Sequence, residues 1–399
     1  MIESFLGLLR RLSRRLVVRV ALFACLALVA LGLSVVAEPL VPDWAVRYLG
    51  SGSLDAILNV LATTMLAVTT FSLSVMTSAL HAAAGTATPR ARLVLREDRV
   101  TQSVLASFVG AFLFAMIGII LRATPLMGEK ESVVLFLFTI FVVAQVIVAI
   151  IRWIGHLEGL GSLDRTARQL QARATVAIER DARAPCLGAG CWSEQERDCR
   201  DGGDAIRARR DGYVQHILQG ALQSEAAALD RTLCIAVRPG DYICRGMPLM
   251  FTERVTEIKP AKLTVLRESF VIGDTRSFDQ DPRLGVTVLT EIASRALSSG
   301  VNDPQTAIDI VNRLGALLLR ADPQEGIETE PPKYDRLRVL PVELDELYRL
   351  SFDVIARDAA NTQELCRALS DRLSMLARTS GSTGRSAARA CAERCDLSL

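Results

Sequence analysis

Three sets of residues have the types and spacings that could do chemistry. The first is the polar loop inside "ALSSGVNDPQTAI", Ala296 to Ile308, taken with Arg276 in "GDTRSFDQDP". Asn302, Asp303 and Thr306 carry an amide, a carboxylate and a hydroxyl close together, and Arg276 adds a guanidinium. That set could hold a small polar ligand or a subunit. Asp303 before Pro304 is also the arrangement of a helix N-cap followed by proline at the first helical position. Gly300 would then close the preceding helix in a left-handed conformation. A salt bridge from Arg276 to the Asp303 loop would join the two segments. The loop thus reads either as a structural elbow or as a ligand or subunit contact.

The second set is a run of hydroxyls in "LATTMLAVTTFSLSVMTSAL". Asn59, Thr63, Thr70, Ser74 and Thr77 recur at spacings of four, seven, four and three, so they share one helical face. In lipid such a face turns toward another helix or toward water. It either packs against its neighbours or lines a permeation path in an oligomer. Gln145 is the one central polar group of a later apolar run. No Asp, Glu or Lys falls mid-membrane, which argues against a proton-coupled pump with a buried carboxylate.

The third set is the cysteines and histidines. Cys186, Cys191 and Cys199 are spaced C-x4-C-x7-C with no histidine nearby, a poor match to zinc spacings. They read as free thiols in a loop, in a reducing compartment. Cys391 and Cys395 fall in a low-complexity tail and receive no role. His81, His156 and His216 belong to no metal or nucleophile motif, and no Gly-rich phosphate loop is present. Asp279, Asp281 and Asp303 could cluster, but helix starts are rich in aspartate. The expectation is no catalytic residue, no metal and no cofactor. A net charge of +2 and only 5% aromatic residues likewise give no case for a nucleic-acid partner.

The elements that must position these residues divide into an apolar third and a mixed remainder. Four runs are long enough to cross a bilayer, which needs about 20 residues per helix: 16–36, 54–80, 104–121 and 133–153. A cleaved signal peptide is the rival for the first, but its charged and apolar parts are long for one. Arg10, Arg11, Arg14, Arg15 and Arg19 lie at its start, and Arg90, Arg92, Arg96 and Arg99 separate the second run from the third. By the positive-inside rule both termini are cytoplasmic. In the third run Ser107, Ala111, Ala115 and Gly118 form a small-residue stripe suited to close packing.

Beyond residue 155 the composition is that of a soluble domain. Leu163, Ala167, Leu170, Ala174 and Ile178 keep a helical stripe. A Gly-rich charged loop follows, then a hairpin expected at Asp211–Gly212 and a helix over 218–229. Short β-branched strands with turns at Pro239–Asp241 and Arg245–Gly246 resemble barrel-sandwich modules in outline, without the lysine of a swinging arm. Helices are expected over 283–298, over 304–319 and over 342–376, the last broken near Asn361, before a disordered tail.

The pieces "FSLSVMTSAL", "TPRAR", "FVGAFLFAM", "GYVQHI", "VRPGDYICRGMPL", "FVIGDTRSFDQDPRLGV" and "IASRALSSGVNDPQTAID" resemble, in order, the bacterial predicted membrane proteins grouped as DUF2254. The resemblance implies an integral membrane protein with a cytoplasmic domain and leaves its activity open.

The expected architecture is an α-helical membrane domain of four transmembrane helices (1–155), a helical linker and loop (156–203), an α+β cytoplasmic domain with a small β-sandwich-like unit (204–376), and the tail (377–399). The expected setting is the bacterial inner membrane, multi-pass. Its partners would be the lipid bilayer, further copies of the chain in a homo-oligomer, and an ion or small ligand. Two functions fit: a channel or transport-related protein with a cytoplasmic regulatory domain, or a membrane-anchored sensor or scaffold whose cytoplasmic domain binds a ligand or partner.

Overall fold

The computed structural model describes residues 25–26, 29, 32–33, 51–86, 88–91, 99–124, 129–157, 162–192, 204–253, 255–322 and 331–397. The chain divides into two compact units, one of residues 1–86 and 92–165, the other of residues 87–91 and 166–399.

Among the described residues of the first unit, three helices are long and apolar enough to span a bilayer: α1 (Ser51–Thr86), α2 (Arg99–Arg122) and α3 (Glu129–Leu157). Leu54, Leu58, Leu61 and Met65 recur at helical spacing on α1 and pack against Phe108, Ala111 and Ala115 of α2 and Leu135, Val142 and Val146 of α3. The small-residue stripe explains the fit: a Cβ on Gly118 would stand 3.2 Å from Leu58 Cδ1, so the backbones approach closely there. The opposite faces carry exposed Phe71, Leu137, Ile140, Phe141, Ile147 and Ile151. An apolar exterior around an apolar core is the pattern of a lipid-facing bundle rather than of a water-soluble one. Most of the first expected span, 16–36, lies outside the described residues; Leu26 of that span packs against this core.

Polar ties close both ends of the bundle. At one end Arg122 grips Asp55 with two hydrogen bonds, Nε to Oδ1 at 2.9 Å and Nη2 to Oδ2 at 2.8 Å, and donates to Ser132 at 2.7 Å. At the other, buried His156 meets Thr101 at 3.2 Å, and Arg165 donates to its backbone carbonyl at 3.1 Å.

The second unit begins with α4 (Leu163–Arg183), whose stripe Ala167, Leu170, Ala174 and Ile178 is buried as its spacing requires. A Cβ on Gly285 would stand 2.3 Å from Ala174 Cβ, so glycine alone permits that crossing. Among the described residues eight short strands follow between the helices: β1 (Ala189–Cys191), β2 (Asp204–Arg207), β3 (Gly212–Ile217), β4 (Leu233–Ile235), β5 (Tyr242–Ile243), β6 (Pro248–Thr252), β7 (Phe270–Gly273) and β8 (Tyr334–Val339). They form a mixed five-stranded sheet of order β1-β8-β4-β6-β2 and an antiparallel three-stranded sheet of order β5-β3-β7. Helices α5 (Gln219–Leu229) and α6 (Pro260–Glu268) cover a shared core that includes Ile206, Val214, Leu233, Met250 and Leu337. This is an α+β unit built on two small sheets.

The hairpin expected at Asp211–Gly212 does not form, because β2 pairs with β6 and β3 pairs with β5 and β7. Gly212, at φ +140°, instead carries the chain from one sheet to the other, and Asp211 accepts from the Arg245 amide at 2.6 Å. Nor are Cys186 and Cys191 free thiols. They are joined in a disulfide with a Cα–Cα distance of 5.4 Å.

The helical layer comprises α7 (Pro282–Ala296), α8 (Pro304–Ala321), α9 (Leu344–Tyr348), α10 (Val354–Asp358), α11 (Gln363–Thr379) and α12 (Ser382–Arg394). A π-helical turn, Arg349–Asp353, joins α9 to α10. The tail expected to be disordered is largely α12. Its apolar weight is slight, but Ala387, Ala388, Cys391 and Ala392 make a buried small-residue stripe. Asp322, beyond the end of α8, accepts from the amides of Gly381 at 2.6 Å and Gly384 at 3.2 Å, capping α12 from another part of the chain.

Candidate functional site

Among the described residues of the second unit a dense polar node is built on Arg283, in the first turn of α7. Its side chain is 9% exposed. It donates to Asp241 Oδ1 at 2.7 Å, to the Pro239 carbonyl at 2.8 Å and to Glu346 Oε1 at 3.2 Å, and lies 3.6 Å from Asp281 Oδ1. Asp281 is fully buried and is the N-cap of α7, accepting from the Arg283 amide at 3.1 Å. Its other oxygen accepts from Arg276 Nε at 2.7 Å. Arg238 completes the node through Glu346 at 2.7 Å.

Local structure explains why these side chains converge. The turn "RPGD" is held by the Arg238 amide donating to Asp241 Oδ2 at 2.8 Å and the Gly240 amide donating to the Val214 carbonyl at 2.7 Å. Gly240, at φ +93°, lets the turn lie against Asp281. In "SFDQDPR" Gln280 accepts from the Ile217 amide at 2.8 Å and donates back to its carbonyl at 3.2 Å, tying its side chain to the last residue of β3. Arg173 of α4 stacks over Phe278, and Arg180 donates to the Asp279 carbonyl.

Three arginines and the carboxylates of Asp241, Asp281 and Glu346 balance in charge. Asp181 on α4 is the additional acid: burial pushes its carboxyl up to about 6, against the pull of Arg238 and Arg283. Asp181 thus adds to the node a carboxyl that exchanges its proton near pH 6. Arg238, Asp241, Arg276 and Asp281 lie in loops prominent in the sequence, whereas Arg283, Glu346 and Asp181 lie on helices, and among them only Arg276 is an expected binding residue.

The other expected site residues fall elsewhere. Asp303 is the N-cap of α8, accepting from the Thr306 amide at 3.0 Å and from the Thr306 hydroxyl. The Thr306 hydroxyl, then its amide, holds the Asp303 carboxyl below its ordinary value. The expected link from Arg276 to this loop is replaced by the Arg276–Asp281 pair, and the left-handed residue is Asn302, at φ +49°, rather than Gly300. Asn302 is exposed, and its amide donates to the Ser298 carbonyl at 2.9 Å. The elbow is accounted for by capping, and the structure does not bring it together with Arg276.

In the first unit Thr63, Thr70, Ser74 and Thr77 are all exposed, on the side of α1 away from the three-helix core. The hydroxyls of Thr63 and Thr77 donate to carbonyls four residues back at 2.9 Å, and Thr70 to the Ala67 carbonyl at 2.9 Å. Thr70, Ser74 and Thr77, with Leu73, Ser78 and His81, line an open groove of about 630 Å³. Gln145 is also exposed.

The profile of a family described as "Predicted membrane protein (DUF2254)" matches residues 13–375. The chain belongs to the DUF2254 family. Uncharacterized proteins of Mycobacterium bovis and of two Mycobacterium tuberculosis strains are 32% identical to it over 116 residues. These matches cover 28% of this chain and 22% of each relative, so the aligned part is about a fifth of the relatives' length. No solved structure matches the chain. Both the arginine node and the hydroxyl face fall inside the span of the DUF2254 match, whereas α12 lies beyond it.

Proposed function

We propose that this DUF2254 chain is a homo-oligomeric channel or transport-related protein of the bacterial inner membrane, with both termini and a regulatory second unit in the cytoplasm. The observation that carries this reading is the outward direction of the hydroxyl face. A polar stripe pointing away from its own bundle gains most when a second copy brings another such stripe opposite it. Because the threonine hydroxyls donate back along the helix, their lone pairs point away from it, which suits a cation or a neutral solute better than an anion. Chain connectivity favours regulation: α1 runs at Thr86 into residues 87–91, which pack in the second unit, where Arg90 pairs with Glu291. The reading assigns no catalytic role.

The test is ion flux through purified protein in sealed liposomes, beside empty ones. Flux that disappears in a folded Ser74→Leu variant is the expected result. No flux across several ions and voltages, or full flux in that variant, would overturn the reading.

A second reading is favoured by Asp181: a membrane-anchored sensor or scaffold whose second unit responds to protonation or binds a ligand or partner. On that reading Ser74→Leu is silent, while Asp181→Asn changes the response.

A further inference from the structure

Helix α12 brings Cys391 and Cys395, one turn apart, against Asp353 in the π-helical turn. One ligand atom from each lies within 4.8 Å of the other two. Asp353 Oδ1 is 3.7 Å from Cys391 Sγ and 3.9 Å from Cys395 Sγ. Two thiolates on one tetrahedral zinc stand about 3.8 Å apart, and a thiolate and a carboxylate oxygen slightly closer. The two sulfur–oxygen distances are therefore close to those of a shared coordination sphere, and the two sulfurs lie within 4.8 Å of each other.

We propose that Asp353, Cys391 and Cys395 form a binding site for a thiophilic divalent cation of the zinc class, with a fourth position left to water. Two soft sulfurs select such an ion over magnesium or calcium. The carboxylate is supported from outside: Asp353 Oδ2 faces Arg394 Nε at 3.4 Å, and Arg394 is held in turn by Asp345 at 2.9 Å. That is the arrangement in which a second layer orients a metal ligand while leaving its other oxygen available. The π-helical turn supplies the geometry, since such bulges shift one side chain out of helical register.

Both thiols donate toward Asp353 Oδ1, at 3.7 and 3.9 Å, so a bound metal would take the place of their protons, which leave to solvent. Bound metal would clamp α12 to the π-helical turn. The two cysteines lie beyond the span of the family match, whereas Asp353 lies within it.

The experiment is titration of the reduced, detergent-purified full chain with Co²⁺ and then Zn²⁺, read by absorption and by hydrogen exchange of residues 382–397. Cys391 is fully buried, so the test variants are Cys395→Ala and Asp353→Asn, with Cys244→Ala as control. The expected result is one equivalent of Co²⁺ with an intense thiolate charge-transfer band, displaced by Zn²⁺. Zn²⁺ should also slow exchange in α12. Cys395→Ala and Asp353→Asn should weaken binding at least tenfold, with Cys244→Ala unchanged. Equal binding by Cys395→Ala and the parent, or no thiolate band in the parent, would overturn the proposal.

Discussion

Gly240 lies so close to Asp281 that a Cβ on it would stand 2.1 Å from the buried Oδ2 of that carboxylate. The turn of one motif and the helix cap of the other are thereby locked face to face. Gly240→Ala should destabilise the protein by about 1–3 kcal/mol from crowding alone, and further because Ala at φ +93° is strained. Denaturant melts of the purified chain would show this. An unchanged midpoint would mean that the turn can move off Asp281.

Arg283→Met should cost about 3–5 kcal/mol, because removing one partner of a buried ionic network strands the others. Arg283→Lys should recover little of it. An ammonium cannot reach Asp241, the Pro239 carbonyl and Glu346 together as the guanidinium does. Chemical denaturation of the two variants side by side separates charge from geometry.

Asp181 predicts a pH dependence with a defined sign. Its carboxyl is raised from 3.8 to about 6 in the fold. The ionised form is therefore disfavoured in the native state, and the penalty is absent below the unfolded value, grows between the two, and is complete above about 6. A shift of this size corresponds to about 3 kcal/mol. Asp181→Asn should therefore melt above the parent at pH 8, with the gap closing as the pH falls toward 4. A gap that is constant with pH would show that Asp181 is not the titrating group.

The elbow between α7 and α8 separates capping from ligand binding. Asp303→Ala should cost about 0.5–2 kcal/mol as a lost N-cap. Asn302→Gly should be neutral or slightly stabilising at its left-handed position, whereas Asn302→Ala should cost about 1 kcal/mol. If Asn302→Gly proved strongly destabilising, its side chain would be holding something that capping does not explain. Thermal melts of the three variants are sufficient.

Much of this molecule is written in short-range pattern. The three described spans, the buried stripe of α4, the α7–α8 elbow and the Asp303 cap follow from apolar periodicity and from an aspartate before proline, which act within one or two helical turns. The outward hydroxyl face is half legible: spacing groups Thr63, Thr70, Ser74 and Thr77, but which way the face points depends on where Leu54, Leu58 and Met65 find partners.

What only the tertiary structure decided involves partners far apart in the chain. Arg283 joins Asp241 and Glu346 across 42 and 63 residues, and Asp353 meets Cys391 across 38. No local propensity encodes such meetings. Strand exchange between two sheets undid the expected hairpin at Gly212, since a turn dipeptide fixes a bend and not the strand that follows it. The last helix was hidden because alanine and glycine contribute little apolar signal, yet small side chains allow the close approach that Asp322 caps from across the fold.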